Sequence, residues 1–186
     1  LDPLNGRERW VYDPQVPRSS ERPYRCRGVA YAEVPQADVA AACRHRIYTV
    51  TVDRRLIALD ARDGKPCAGF GHRGEVTLVE HDHYGLEKVS SSSPPVVANG
   101  VVVVGSSIID FAFAKAPRGA IAAYDADTGA PRWTFDPLAG VAGTGAGNAW
   151  APMAVDAAAD LVFVPTGAPS PDYYGGLRPG RNDHAN

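Results

Sequence analysis

Three cysteines, at positions 26, 43 and 67, are all that the 186 residues contain. An odd number leaves at least one thiol unpaired within the chain, and no pair has the CxxC spacing of a zinc or thioredoxin-type site. Cys26 and Cys43 flank one strand-and-loop region. A bridge between them in an oxidising compartment, or buried free thiols acting as small apolar residues, are the two readings. There is no apolar run long enough to span a bilayer and no signal peptide at Leu1. An excess of positive charge is also missing. The net charge is −2 and the basic residues are scattered, which argues against a nucleic-acid partner. Finally, no stretch shows sustained helical periodicity with caps.

What the chain does have is a repeated turn. Gly119–Asp125, the turn Ala126-Asp127-Thr128-Gly129 and Arg132–Asp136 read as strand, tight turn and outgoing strand. Gly129 supplies the positive φ, Asp127 and Thr128 bond locally to turn backbone, and Trp133 carries a large apolar surface outward. The device recurs from Asp2 to Trp10 and from Asp60 to Phe70, at a period of roughly sixty residues. In the middle copy Ala68 stands where the tryptophan is expected, which predicts a weaker contact between units there.

Between these turns the pattern is one of short strands. Residues 26–34 read as a strand, and 47–52 with 56–59 as a hairpin around Asp53-Arg54-Arg55, with a fourth strand ending near Phe70. Asn99-Gly100 is a strong hairpin signal between Pro95–Ala98 and Val101–Gly105. The unbroken valines predict a strand buried on both faces, in a sheet packed between two others. Residues 151–155 and 161–166, around a turn at 157–160, begin another unit. Four-stranded units repeating at this length define an all-β chain, part of a β-propeller. A β-sandwich is the alternative, but it leaves the recurring turn unexplained. The segments are 1–12 (end of one blade), 26–70 and 94–136 (a blade each) and 151–186 (the start of the next), an excerpt truncated at both ends. Such an open arc exposes sheet faces and is expected to be unstable or self-associating without the remaining propeller blades.

Antiparallel order sends the second-to-third and fourth-to-next-first connections out at one end of each unit. The long, residue-rich loops are expected there, opposite the tight turns, and function concentrates on such loops. That end carries Arg27, Ser92, Ser93, Asp110, Asn148, Trp150, Asp172 and Arg178. A cation, a carboxylate, an amide and an aromatic suit a flat, anionic, metal-assisted ligand. Alternatives stand beside each residue. Asp110, among Ile108, Ile109, Phe111 and Phe113, either binds a cation or caps a turn; Trp150 is a platform or a core residue; Arg27 is a ligand or half of a surface ion pair. His81-Asp82-His83 lies in a polar loop without a third ligand at motif spacing. Tyr173-Tyr174 reads as loop packing, the 90–93 serine run lacks a triad histidine, and the 143–147 glycines lack the Lys-Ser/Thr and helix of a phosphate loop.

At Cys26-Arg27-Gly28-Val29, Arg55 to Asp60, Ser93-Pro94-Pro95, Val104-Gly105-Ser106, Asp125 to Trp133, Gly147 to Pro152, Pro165-Thr166-Gly167 and Ser170 to Gly176, the chain resembles the pyrroloquinoline-quinone (PQQ)-dependent dehydrogenases. The resemblance runs nearly end to end and looks closest to the membrane-associated glucose and quinate dehydrogenase branch. It implies an eight-bladed propeller and oxidation of a sugar or polyol hydroxyl with PQQ and Ca²⁺, electrons passing to a membrane quinone. It also implies a periplasmic protein whose inner-membrane anchor, where there is one, precedes Leu1. By the same resemblance Trp150 stacks under the quinone ring, Arg27 and Ser92 bind its carboxylates or ring oxygens, Ser107 and Asn148 line the pocket, and Asp110 ligates Ca²⁺. The general-base aspartate of the family is expected beyond Asn186, so the segment alone is expected to be inactive. This chain departs from the sugar-oxidising pattern at Ile109 and Phe111, beside Asp110, and at Ala168, where some relatives have asparagine. Those departures motivate the alternative of a non-catalytic propeller scaffold, or a degenerate relative without cofactor.

Overall fold

The computed structural model describes residues 1–17, 27–35, 41–78, 89–109, 113, 116–178 and 184–185. Strands β1 (Ala30–Glu33), β2 (His45–Val50), β3 (Arg55–Asp60) and β4 (Glu75–Thr77) form an antiparallel sheet in that order. The two-residue strands β5 (Val89–Ser90) and β8 (Ser107–Ile108) pair with each other, outside the main sheets. Strands β6 (Val96–Ala98), β7 (Val101–Val104), β9 (Ile121–Asp125) and β10 (Pro131–Phe135) make the second four-stranded sheet. A final pair, β11 (Ala154–Asp156) and β12 (Leu161–Phe163), opens a third. One short 3₁₀ turn at Gly175–Leu177 is the helical element among the described residues.

The valine strand is buried on both faces, as its composition predicts. Val102 and Val104 pack with Tyr48, Leu56, Ala58 and Phe70 of the first sheet, while Val103 joins Ile121, Ala123, Ala149 and Met153 on the other side. Asn99 and Gly100 both take positive φ (45° and 78°), the backbone geometry a tight two-residue hairpin requires.

The repeated turns join neighbouring sheets directly. Trp10 donates its indole N–H to the Ala61 carbonyl (3.1 Å) and lies over Gly64, where a Cβ would come within 2.5 Å of the ring. In the middle copy Phe70, fully buried, takes the place the sequence assigns to Ala68. Its ring edge would lie 3.3 Å from a Cβ at Gly129, and the Gly71 N–H bonds the Thr128 carbonyl (2.8 Å). The contact is therefore kept by an aromatic two residues later, and the expected weakening is corrected. The fourth strand likewise lies beyond Phe70, at β4.

Two further expectations are overturned. In the first sheet the β2–β3 turn is tight, Thr51 closing on Arg55, whereas the 34–44 and 61–74 connections are the longer ones. Long loops are thus not confined to one end. Those two connections are joined by a disulfide between Cys43 and Cys67 (Cα–Cα 5.6 Å), so neither a Cys26–Cys43 bridge nor free thiols at 43 and 67 is correct. Cys26 lies outside the described residues. Arg46 ties the same end to the second sheet. Its guanidinium, almost fully buried, bonds the Cys43 carbonyl, the Ala126 and Asp127 carbonyls and the Asp127 carboxylate (2.7 Å).

Candidate functional site

Arg27 precedes β1 and Trp150 follows the glycine-rich 139–147 connection, yet the two meet. The Arg27 guanidinium lies 5.1 Å from the centre of the Trp150 ring and donates to the Trp150 carbonyl at 2.9 Å. Ser92 also reaches the Trp150 carbonyl (3.4 Å), and Ser93 donates to the next carbonyl, Ala151 (2.8 Å). Two segments distant in sequence, at Arg27 and at Ser92-Ser93, are therefore gathered on the short Trp150-Ala151 stretch of backbone. Trp150 itself is about half exposed (47%), so its ring is not a core residue of the described structure.

Asn148 sits beneath this platform and is buried. With its amide oriented by its hydrogen bonds, the oxygen accepts from the Ile108 N–H (2.8 Å) and the nitrogen donates to the Ala146 carbonyl (2.8 Å). Ile108 follows Ser107 on β8, so the amide fastens the Ser107 strand to the Trp150 segment. Glycines permit the close approach. A Cβ at Gly119 would fall 2.4 Å from the Asn148 Cβ, one at Gly105 2.1 Å from the Ala149 carbonyl, and one at Gly167 3.1 Å from the Asn148 side-chain amide and 3.5 Å from the Trp150 indole nitrogen. Gly167 in turn donates to the Asn148 carbonyl (2.8 Å).

Of the residues expected to form the site, Arg27, Ser92, Ser107, Asn148 and Trp150 are thus linked by contacts or by one intervening residue. Asp110 lies outside the described residues, as do Phe111 and His81-Asp82-His83. Among the described residues no group of three or more His, Cys, Asp or Glu could hold a metal ion, and no helix is long and apolar enough to cross a membrane. Arg178 donates to the Pro169 carbonyl (3.2 Å) in its own loop, and the Tyr174 ring packs over Gly176.

Sequence reading missed the residues that hold the platform from below. Arg118 bonds Asp136 and the Leu138, Val141 and Thr144 carbonyls, fixing the connection that leads to Asn148. Arg54, buried in the β2–β3 turn, donates to the Ser90 carbonyl and to Ser91. Nothing in either motif distinguishes such an arginine from a surface cation. The strongly shifted acids lie elsewhere, in the repeated turns. Asp125 is held down to about 2, first by the Thr128 backbone N–H, with the Arg132 guanidinium adding to it. Arg62 keeps Asp60 well below the usual carboxylate range. Burial pushes Tyr48, bonded to the Ala126 carbonyl, up to about 12.

A fan of antiparallel sheets locked by aromatic-on-glycine turns, with a cation over an exposed indole at one end, defines a segment of a β-propeller. The chain belongs to the PQQ family described as the glucose/ethanol/alcohol dehydrogenase β-propeller domain, which it matches over residues 1–186. It is 38% identical over 195 residues to the glycerol dehydrogenase large subunit of Gluconobacter oxydans, covering 96% of this chain and 26% of that protein. It is 35% identical over 201 residues to quinoprotein glucose dehydrogenase A of Acinetobacter calcoaceticus, covering 96% of this chain and 25% of that one. Among solved structures, the quinohemoprotein alcohol dehydrogenase of Comamonas testosteroni superposes with a TM-score of 0.72 at 27% identity, covering all of this chain and 28% of the other. The chain spans about a quarter of the length of the relatives it matches.

Proposed function

We propose that the protein at its full length oxidises a sugar or polyol hydroxyl with pyrroloquinoline quinone and Ca²⁺ in the periplasm, passing electrons to a membrane quinone. The observation that carries this reading is the convergence of Arg27 and Ser92 on the Trp150 carbonyl, with the guanidinium over the indole. The residues fit a flat polyanion. An indole with half its surface open offers a stacking face, Arg27 places a permanent positive charge beside it, and the absent side chain of Gly167 keeps the indole edge clear.

When bound, the quinone is the two-electron acceptor and Ca²⁺ the Lewis acid that polarises its reactive carbonyl. The chain's own residues bind and orient. Trp150 would stack with the ring, Arg27 and Ser92 would hold carboxylates or ring oxygens, and Ser107 and Asn148 would line the same pocket. Asp110 supplies a carboxylate oxygen for the cation, a hard ligand for a hard metal. With Ile109 and Phe111 beside it, the remaining ligands come from backbone oxygens or other blades. The general base is supplied from outside these residues. The relatives named for glucose and glycerol support the polyol class of substrate.

The test is to add PQQ and Ca²⁺ to the full-length protein and follow reduction of an electron-accepting dye with glucose, glycerol and quinate. Tight PQQ binding by equilibrium dialysis, lost in Trp150→Ala, together with dye reduction, is the expected result. Absence of both from the intact protein removes the proposal and leaves a propeller scaffold.

A further inference from the structure

We propose that Ser170 is a positioning residue for the Trp150 platform: its hydroxyl clasps the loop that follows Ser107 to the loop that precedes Trp150. Ser170 is 5% exposed, and its Oγ accepts from the backbone N–H of Ala116 (3.0 Å) and of Gly145 (3.2 Å). Both lone pairs of the hydroxyl are then used. The backbone of Ser170 engages the same neighbours. Its N–H donates to the Gly145 carbonyl (2.9 Å), and its carbonyl accepts from the Thr144 hydroxyl. One serine on the third, incomplete unit thereby fixes two loops of the unit before it.

The second of those loops leads to the site within a few residues, from Gly145 to Asn148. Gly145 is pressed so closely on Ala116 that a Cβ there would fall 1.9 Å from the Ala116 carbonyl oxygen. The next residue, Ala146, is in the left-handed region (φ 64°), donates to the Pro117 carbonyl (2.7 Å) and accepts from the Asn148 backbone N–H (2.8 Å). Asn148 then bonds Ile108, beside Ser107, and leads to Trp150. Removing the Ser170 hydroxyl orphans one buried donor, the Gly145 N–H, and one half-buried donor, the Ala116 N–H, at the point where both loops are joined. The backbone that sets the height of Trp150 against Ser107 loses its brace, while the sheets that form the blades keep every hydrogen bond of their own.

This inference rests on the reading of Trp150 as a cofactor platform, so its test has one arm that is independent of the cofactor. In the full-length protein, hydrogen exchange is measured at the Ala116 and Gly145 amides and at the amides of β7 as an internal reference. Ser170→Ala is expected to speed exchange at Ala116 and Gly145 roughly tenfold with β7 unchanged, and Ser170→Thr, which keeps the hydroxyl, to restore protection. In the second arm, equilibrium dialysis with PQQ is expected to show a Kd raised about tenfold in Ser170→Ala and recovered in Ser170→Thr, with KM for the sugar unchanged at saturating PQQ. Unchanged exchange at Ala116 and Gly145 overturns the clasp. Faster exchange with an unchanged Kd also overturns the proposal, since the hydroxyl then only supports the fold. Wild-type protein that fails to bind PQQ removes the platform reading instead, and the exchange arm alone decides whether the clasp exists. Should Ser170→Ala not fold, Thr144→Val, which deletes the hydroxyl bonded to the Ser170 carbonyl, is expected to shift exchange and Kd in the same direction by about threefold, and no shift in either counts against the proposal.

Discussion

Arg27 touches Trp150 twice, through its guanidinium over the ring and through a hydrogen bond to the carbonyl of the same residue. The second bond orients the first. The arginine holds its place beside the indole without depending on the ring contact, and it keeps further N–H groups for an anion. Arg27→Ala is expected to weaken PQQ binding roughly ten- to a hundred-fold, the range of a charge-assisted contact. Arg27→Lys should fall between, because an ammonium keeps the charge and loses the planar fork. Equilibrium dialysis of full-length variants checks both.

The disulfide closes the loop between Cys43 and Cys67 at the end away from Trp150. Cys67→Ala is expected to cost about 3 kcal/mol through unfolded-state entropy. Reductant should lower the wild-type melting temperature and leave that of the variant in place. A wild-type melting temperature indifferent to reductant under conditions that demonstrably free both thiols would refute the assignment.

Arg46 and Asp127 form an ion pair with unequal partners, since the arginine side chain is 4% exposed and the aspartate 52%. Arg46→Met strips the Cys43 and Asp127 carbonyls and the Asp127 carboxylate of a donor, while Ala126 keeps the Tyr48 hydroxyl, and is expected to cost about 2–4 kcal/mol. Asp127→Ala leaves the guanidinium its three carbonyls and should cost about 1 kcal/mol. Urea unfolding of the two variants gives the ordering directly.

Gly129 and Gly100 have nearly the same backbone angle, φ 75° and 78°, and very different surroundings. A Cβ at Gly100 meets nothing within 4 Å, whereas one at Gly129 falls 2.7 Å from a Val76 methyl and 3.0 Å from the Gly71 nitrogen. Gly100→Ala is expected to cost about 1 kcal/mol from backbone strain alone. Gly129→Ala adds a steric clash between sheets and should cost about 2–4 kcal/mol.

Asp125 links the turn chemistry to pH. Its folded-state pKa of about 2 lies below its ordinary value of 3.8, so its contribution is complete above the ordinary value and is lost as pH falls through the folded one. Asp125→Asn should therefore be destabilising at pH 6 and approach wild-type stability near pH 2. Denaturant midpoints across that range test the sign.

Much of this architecture is written in local chemistry. Asn99-Gly100, Gly129 and the run Val101–Val104 each announce their conformation through φ preference or burial, which neighbours along the chain decide. Trp150, Arg27 and Ser92 could be nominated from loop position and residue type, but their individual roles came only by resemblance, because their meeting depends on loops folding toward each other across the sheet ends. The partner of Cys43 was illegible for the same reason. Cys26 offered a partner only because it and Cys43 flank one strand-and-loop region, with free thiols left equally open, whereas β2 and β3 pair so that the two connections at their far end lie side by side. Phe70 escaped notice because the turn to β4 slides the docking aromatic two residues along. Ser170 and Arg46 act on backbone atoms of distant segments, and a hydroxyl or guanidinium bonded to main chain leaves no pattern in side-chain sequence.

The seating of Trp10 on Gly64 and of Phe70 against Gly129 has a direction: the ring always comes from the earlier stretch and its seat from the later one. During synthesis from the amino terminus, each aromatic leaves the ribosome roughly sixty residues before the turn that will cover it. Neither of these two seats can thus be filled before the later turn has been made, so docking here can run only from the amino-terminal side onward.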